Sequence, residues 1–396
     1  MIRPIARADA ACGGKAARLG ALHRAGFAVP EGFVVLAPIA LEEATQLLAD
    51  LGGPVAVRSS GLAEDSAHAS FAGQLETVLG VVEPADVVAA VERCAASGAG
   101  DRVRQYAEGL GSAPGSPAAS GEDRTPVIVQ RLVAAEVAGV AFSMDPVGGA
   151  ESVVIDASWG LGESVVSGRV VPDTFRVPPD GAETGGTVPV GAAPVTSRVG
   201  SKASRLDLVG TDLRRTPVAL PDRVRPCLAP GQVAAVAELA RAAEGLLGGP
   251  QDIEWAVAGE ELWMLQSRPV TALRAPTAVT PAEDPPPATV LATGAPASPG
   301  RVRGPARLVH GVDGFGTVRV GDVLVCRTTD PAWTPLFRMV SAVVTETGGP
   351  LSHASIVARE FGIPAIVGAA GAMGAVTDGR TVVVDGTRGT MALPDD

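Results

Sequence analysis

The chain has 396 residues, of which 46% are hydrophobic and 19% charged, which predicts a soluble globular protein of two or three domains. Its formal net charge of −11 at pH 7 argues against a nucleic-acid partner, and the lack of a signal-like N-terminus or a long uncharged apolar run argues against secretion and membrane insertion. Cys12, Cys94, Cys227 and Cys326 match no disulfide framework or zinc-ligand spacing, so we expect a cytoplasmic protein.

The first predicted element is a helix that begins at the glycine-glycine-lysine sequence containing Lys15 and ends near Gly26. Free N–H groups at a helix start bind phosphate, although a solvent-exposed helix start would have the same sequence. Lys15 and Lys202 are the only two lysines among 32 basic residues, and both follow a glycine-containing turn. Because a compact ammonium suits a position beside phosphate better than a wide guanidinium, we expect at least one of them to contact nucleotide.

A predicted helix over residues 39–51 is followed by a buried strand, PVAVRSS, that ends with Arg58 and leads to a loop of small residues, Ser70-Phe71-Ala72-Gly73. An arginine at a strand end beside such a loop can clamp terminal phosphates. A surface salt bridge is the alternative interpretation.

Further apolar runs predict the scaffold of this N-terminal region. Buried strands are expected at GFVVL, PVIVQRLV, SVVIDAS and ELWMLQS, and a helix over residues 232–247. Residues 111–126 and 177–196 are small, polar and proline-bearing, which predicts irregular surface segments.

Residues 251–270 predict two strands joined by a short turn, which brings Glu254, Gln266 and Arg268 within reach of each other. Glu254 lies between two apolar residues, and a glutamate is costly to bury unless it is paired or binds metal. Magnesium prefers a carboxylate together with phosphate oxygens, which makes Glu254 and Gln266 candidate ligands and Arg268 a candidate nucleotide contact. Strand alternation that turns Glu254 to solvent is the alternative.

The proline-rich segment 274–293 predicts a semi-rigid linker between two domains. Beyond it, DVLVC, AVVTET, PAIVGA and TVVVD predict strands that enclose one clear helix, preceded by two glycines, capped by Ser352 and ended by Gly362. His353 lies in the first turn of this helix. A lone histidine is usually structural, but here the glycines permit close approach of a second domain and the imidazole is a candidate nucleophile.

Taken in order, these segments resemble the phosphoenolpyruvate synthase, pyruvate phosphate dikinase and rifampicin phosphotransferase superfamily. The matching blocks are GGK, VAVRSS with EDS and SFAGQ, VIVQRLV with AGVAFSMDP, ASWGLGESVVSG, DIEW with LQSRP, and GGPLSHASIVAREFGIPAIVG. They cover essentially the whole chain.

The resemblance implies an α/β (α+β) protein with an ATP-grasp nucleotide-binding domain over residues 1–273, a hinge linker over 274–293 and a β/β/α phosphohistidine swivelling domain over 294–396. It implies ATP and Mg²⁺ as cofactors. The residues that it implies for ATP binding are Lys15, Arg58, Gly73, Gln130 (on the adenine side), Lys202 (in a looser block) and Arg268. It implies Glu254 and Gln266 as metal ligands and His353 as the phosphorylated residue, with ATP converted to AMP and phosphate.

The chain also departs from the family pattern. No segment matches the barrel that binds phosphoenolpyruvate or pyruvate, or the long antibiotic-binding domain of rifampicin phosphotransferase, and Leu351 stands where plant-type dikinases carry a regulatory threonine. We therefore expect a donor and a carrier without an acceptor domain.

Three functions fit this pattern. The first, which we favour, is an ATP-dependent dikinase-type phosphotransferase with a small-molecule acceptor. The second is the donor subunit of a split system whose acceptor domain is a separate protein. The third is a non-catalytic nucleotide-sensing relic, which the intact lysine, magnesium and histidine positions argue against.

Overall fold

The computed structural model describes residues 1–36, 38–61, 76–97, 125–147, 151–179, 195–270 and 289–394. Within these ranges no helix has the length and apolar character needed to cross a membrane. The predicted loops 111–126 and 177–196 and the predicted linker lie mostly outside the described residues, as does Gly73.

Strands and helices alternate along the chain. The strands are β1 (Ile2–Pro4), β2 (Gly32–Val35), β3 (Val55–Ser59), β4 (Thr77–Val81), β5 (Val127–Arg131), β6 (Val137–Phe142), β7 (Val153–Trp159), β8 (Asp173–Val177), β9 (Thr196–Arg198), β10 (Ser204–Val209), β11 (Asp212–Pro217), β12 (Gln251–Ala258), β13 (Glu261–Pro269), β14 (Val290–Thr293), β15 (Ala295–Ser298), β16 (Arg301–Val309), β17 (Val323–Cys326), β18 (Ala342–Thr345), β19 (Ala365–Val367), β20 (Thr381–Asp385) and β21 (Thr390–Ala392). The α-helices are α1 (Gly14–Arg24), α2 (Leu41–Leu51), α3 (Pro84–Ser97), α4 (Glu163–Val166), α5 (Leu220–Arg223), α6 (Pro230–Leu247), α7 (Thr334–Phe337), α8 (His353–Phe361) and α9 (Ala372–Ala375). Short 3-10 turns cover Ile5–Arg7, Ala10–Cys12, Val312–Thr317 and Pro331–Trp333.

The described N-terminal residues form two large antiparallel sheets and the two-stranded antiparallel sheet β10-β11. The first has the order β1-β2-β5-β3-β4 and packs its apolar face against α2 and α3. The second has the order β13-β12-β6-β7-β8-β9, and α1 and α6 cover its apolar face. Every strand predicted in this region is present, since runs of β-branched residues favour a pleated, buried surface.

The helices that cover these sheets have the end signals expected from their sequences. At the start of α2 the Glu43 carboxylate accepts the Ala40 N–H at 2.9 Å, and Gly52 ends the helix in the left-handed conformation. Helix α6 begins with Pro230 and ends at Gly248, also left-handed. These ends match the predicted helices 39–51 and 232–247 to within two residues.

The C-terminal part is one mixed sheet with the order β14-β21-β20-β16-β17-β18-β19-β15. Strands β16, β17, β18 and β19 run parallel, and helices α7 and α8 lie in the connections between them. Strand β14, whose residues fall in the predicted linker, pairs with β21 and is therefore an edge strand of this sheet. Because β17 and β18 are parallel neighbours, the loops that follow them meet at one edge of the sheet.

Candidate functional site

A cavity of about 550 Å³ lies where the two N-terminal sheets meet the C-terminal domain. Its lining includes these predicted site residues: Lys15, Arg58, Gln130, Glu254, Gln266, Arg268 and His353. The same lining contains apolar side chains, namely Leu132, Val133, Leu161, Leu206, Leu213 and Leu265. A cavity with an apolar lining and a few converging charged groups is typical of a cofactor or small-molecule site.

Arg58, Glu254 and Gln266 meet between the two N-terminal sheets. Strands β12 and β13 place Glu254 directly opposite Gln266. From β3 of the other sheet, Arg58 Nη1 donates to Glu254 Oε2 at 3.0 Å and to Gln266 Oε1 at 3.3 Å. Glu254 is therefore paired, and the alternative of a purely solvent-facing carboxylate does not hold.

Ser60 holds the start of α1 against the end of β3. Its Oγ accepts the Ala16 N–H at 3.0 Å and donates to the Cys12 carbonyl at 2.9 Å, so it caps a helix distant in sequence. Gly13, at φ 83°, has no room for a side chain, because a Cβ there would lie 1.8 Å from the Ser60 carbonyl oxygen. This contact holds the first turn of α1, with its buried Lys15, at the end of the strand that carries Arg58.

Two further cavity residues are held by neighbours. Arg268 Nε donates to Asp252 Oδ2 at 2.6 Å across the β12–β13 pair. Gln130 is buried, and its Nε2 donates to the Pro30 carbonyl at 3.1 Å, so the amide holds the chain that leads into β2.

His353 is buried at the first position of α8 and lines the cavity. Its Nδ1 lies 3.1 Å from Thr329 Oγ1, and its ring packs edge-on against Phe337. Its Nε2 is buried and has no hydrogen-bond partner among the described residues. Burial, helped by the charge of Arg268, lowers the pKa of His353 to about 4, so the imidazole is neutral at pH 7.

The turn before His353 differs from the prediction in one respect. Ser352 is the N-cap residue of α8, but its side chain makes no capping hydrogen bond. Instead Ser355 Oγ donates to the Gly349 carbonyl at 2.8 Å, and Arg359 Nη1 donates to the Pro350 carbonyl at 2.8 Å. Ser352 thus occupies the predicted N-cap position, but groups farther along the helix make the hydrogen bonds that hold this turn.

Lys202 is the predicted site residue that the structure does not bring to the cavity. It is fully buried, and its Nζ donates to Asp173 Oδ1 at 2.5 Å and to the carbonyls of Gly200 and Arg223 at 2.9 and 3.1 Å. Three acceptors use all three donors of an ammonium. The expected nucleotide contact by Lys202 is corrected to a structural ion pair. Gly73, also expected to bind ATP, lies outside the described residues.

The donor set of Glu254 and Gln266 fits a magnesium ion. Both oxygens converge on one point, the Arg58 Nη1 atom, and both are hard oxygen ligands. Within the described part of the chain there is no group of three or more His, Cys, Asp and Glu that could hold a metal alone. A metal here would therefore need ligands from a bound phosphate, as is usual for Mg²⁺.

Several residues near the cavity were not predicted from the sequence. Arg215 lines it from the β10–β11 hairpin, with Nη2 2.7 Å from Glu163 Oε2. Thr329 and the cavity-lining Asp330 follow β17, and His353 follows the neighbouring β18. The parallel pairing of β17 and β18, whose carboxyl ends lie at one edge of the sheet, could have indicated Thr329 and Asp330.

Two family models match this chain. The pyruvate phosphate dikinase AMP/ATP-binding domain matches residues 36–286, and the mobile domain of PEP-utilising enzymes matches residues 318–389. These matches confirm the predicted superfamily and the predicted fold class, with an ATP-binding domain followed by a mobile domain.

Curated relatives are phosphoenolpyruvate synthases. The probable enzyme of Methanothermobacter thermautotrophicus is 33% identical over 438 residues, covering 95% of this chain and 60% of that protein. The enzyme of Pyrococcus furiosus is 37% identical over 350 residues, covering 85% of this chain and 40% of that protein. The enzyme of Pseudomonas aeruginosa is 37% identical over 348 residues, covering 85% and 42%. The chain thus spans between 40% and 60% of the length of these relatives.

Proposed function

Because the chain belongs to the pyruvate phosphate dikinase AMP/ATP-binding domain family, we propose that it binds ATP in the cavity and transfers a phosphoryl group to His353. The observation that carries this proposal is the state of His353 Nε2, which is buried and has no hydrogen-bond partner among the described residues. His353 lines the cavity together with Lys15, Arg58 and Arg268. A neutral imidazole nitrogen with a free lone pair is a nucleophile.

Thr329 Oγ1 can accept a hydrogen bond from Nδ1, as the reactive form of the imidazole in this proposal requires. When the proton is on Nδ1, it is donated to Thr329 Oγ1, and the lone pair is on Nε2. Attack by Nε2 on the β-phosphorus forms a P–N bond. It breaks the bond from the β-phosphorus to the oxygen shared with the α-phosphate, and this oxygen leaves with AMP and keeps the electron pair. Water then takes the terminal phosphoryl group as inorganic phosphate. The Nδ1 proton stays on the imidazole and hydrogen-bonded to Thr329 throughout.

The other cavity residues bind and orient the nucleotide. Lys15, Arg58 and Arg268 supply positive charge for the phosphates, and the leucine side chains supply an apolar surface for the base. Glu254 and Gln266 would hold Mg²⁺, which neutralises phosphate charge when bound. The part of the predicted hinge that precedes strand β14 would let His353 leave the cavity and reach an acceptor.

We propose a small molecule as the acceptor of the phosphoryl group. A second candidate is that this chain is the donor part of a system whose acceptor domain is a separate protein. Phosphohistidine formation is common to both, and only the acceptor differs. The purified chain, incubated with ATP and a metabolite library, should turn over continuously in the first case and stop after one turnover in the second.

The deciding experiment labels the protein with ATP carrying the label at the β-phosphate and quenches in alkali. The proposal predicts one acid-labile, alkali-stable label that mass spectrometry maps to His353 and that His353→Ala abolishes. Label on Ser352, or label that persists in His353→Ala, would overturn it. Label that comes only from the γ-phosphate would support the phosphohistidine but would mean that the reaction is a simple kinase transfer and not a dikinase reaction.

A further inference from the structure

Asp156 is a fully buried carboxylate in the middle of β7, outside the cavity lining. Its Oδ1 accepts the Thr174 hydroxyl at 2.7 Å, and its Oδ2 accepts the backbone N–H of Leu351 at 3.0 Å. Leu351 belongs to the other domain and lies two residues before His353. Asp156 therefore binds the histidine-bearing turn directly across the domain border.

Further hydrogen bonds at this border use main-chain groups of the N-terminal domain. The Gly168 carbonyl accepts the hydroxyls of Thr347 and Thr328 at 2.6 and 3.1 Å, and the Val170 carbonyl accepts the Gly348 N–H at 3.0 Å. Asp156 contributes a charged side chain to the same border. A hydrogen bond to a charged acceptor is about twice as strong as one between neutral groups.

The shape of the turn is fitted to Asp156. A Cβ on Gly349 would lie 2.4 Å from Asp156 Oδ2 and 2.6 Å from Pro172 Cγ, so any side chain at Gly349 would push the turn away. The Leu351 side chain is buried in the apolar cluster that includes Val154, a neighbour of Asp156 in β7. Leu351 is thus anchored by its side chain and by its N–H.

We propose that Asp156 is a positioning residue that docks the Gly349–His353 turn and so sets the imidazole against the bound nucleotide. The expected effect of Asp156 on the reaction rate rests on the proposed function. The docking contact itself does not depend on it. Burial raises the pKa of Asp156 to about 6, while the Thr174 and Leu351 hydrogen bonds lower it, so the carboxylate is ionised at pH 7.

The test compares Asp156→Ala and the isosteric Asp156→Asn with Gly349→Ala, which alters the contact from the opposite domain. In the full chain each variant should keep its Kd for ATP within about threefold, because none of these residues lines the cavity. The rate of phosphohistidine formation at saturating ATP should fall about 10- to 100-fold in Asp156→Ala, corresponding to the loss of a hydrogen bond to a charged group. In the double variant, Asp156→Ala with Gly349→Ala, the second substitution should slow the rate less than it does alone, because the clash with Asp156 Oδ2 is gone and only that with Pro172 remains.

A second readout does not depend on the chemistry. Hydrogen exchange of the Leu351 amide should become at least about tenfold faster in Asp156→Ala. It should stay unchanged in the control Asp322→Asn, which alters a buried carboxylate paired with Arg307 in the C-terminal domain. Wild-type exchange at Leu351 together with a wild-type rate in Asp156→Ala, or additive effects of Asp156→Ala and Gly349→Ala, would overturn the proposal. If the wild-type protein forms no phosphohistidine, the proposed function fails, and the exchange experiment still decides whether Asp156 docks the turn.

Discussion

Arg58 and Glu254 form an ion pair, with Nη1 3.0 Å from Oε2, that joins the two N-terminal sheets at the cavity. Both side chains are mostly buried, with 11% and 21% of their surfaces exposed. The pair places a candidate phosphate-binding cation and a candidate metal-binding carboxylate side by side.

Glu254→Gln should slow phosphohistidine formation on the order of 100-fold, because the amide has no charge to hold a metal beside the phosphates. The measurement is the initial rate of label transfer at several Mg²⁺ concentrations, and the variant should need more Mg²⁺ to reach its maximum. Glu261→Gln is the matched control, since Glu261 is an exposed carboxylate on the same hairpin. An unchanged magnesium dependence in Glu254→Gln would remove Glu254 as a ligand.

Thr329→Val should slow phosphohistidine formation about 10- to 100-fold with little change in the Kd for ATP. Valine matches the size of threonine but cannot accept the Nδ1 proton that keeps the lone pair on Nε2. Thr329→Ser keeps the hydroxyl and should restore most of the rate in the same single-turnover assay. A near wild-type rate in Thr329→Val together with a slow Thr329→Ser would mean that the methyl packing, and not the hydroxyl, is what His353 needs.

Lys202→Met should destabilise the protein by about 3–5 kcal/mol, because it leaves the buried Asp173 carboxylate without its counter-charge. Denaturant unfolding followed by tryptophan fluorescence measures this loss. The variant that remains folded should bind ATP with nearly wild-type affinity. Normal stability combined with a large loss of ATP affinity would return Lys202 to the nucleotide site.

Acid should weaken docking of the C-terminal domain through His353. Burial and the charge of Arg268, which belongs to the other domain, lower the pKa of His353 from 6.5 to about 4, so the docked state is favoured above pH 6.5 and loses this contribution as pH falls towards 4. Asp156 acts in the same sense, because the Leu351 hydrogen bond that docking supplies lowers its pKa and so favours the docked state when the carboxylate is ionised.

The two effects are separated by comparing the wild type with His353→Gln. Relative to this variant, wild-type docking should weaken by up to about tenfold per pH unit between pH 6.5 and 4. Energy transfer between fluorophores on the two domains measures docking at each pH. Parallel pH curves for the two proteins would show that the imidazole is not buried in the docked state.

The local sequence was sufficient to predict a site residue where the position of that residue depends only on its neighbours in the chain. Lys15, Arg58 and His353 each lie at the end of a predictable strand or at the start of a predictable helix, and the structure brings them to one cavity. Their roles remain predictions. Thr329 was missed although it follows a predicted strand, because its contact with His353 depends on which strands are parallel neighbours.

Lys202 shows why a local pattern can mislead. Its glycine-serine-lysine sequence resembles the start of α1, yet the residue has a φ of 37° and its carboxylate partner, Asp173, lies 29 residues earlier. Asp156 is a case in which the local pattern was informative, because a single carboxylate within the apolar run of β7 indicates a buried acid. A buried acid needs a partner, but the sequence does not state that Leu351 in another domain provides one.

The Nε2 atom of His353, which has no partner within the described part of the chain, has a consequence for the order of events in a catalytic cycle. A buried polar atom without a partner costs about 1–3 kcal/mol, which is about a 5- to 150-fold bias against keeping the ring in the pocket. Nucleotide arriving first would remove this bias by giving the nitrogen an electrophile to face. Under the proposed function, the atom with which His353 attacks would therefore also disfavour the closed arrangement until a substrate is bound.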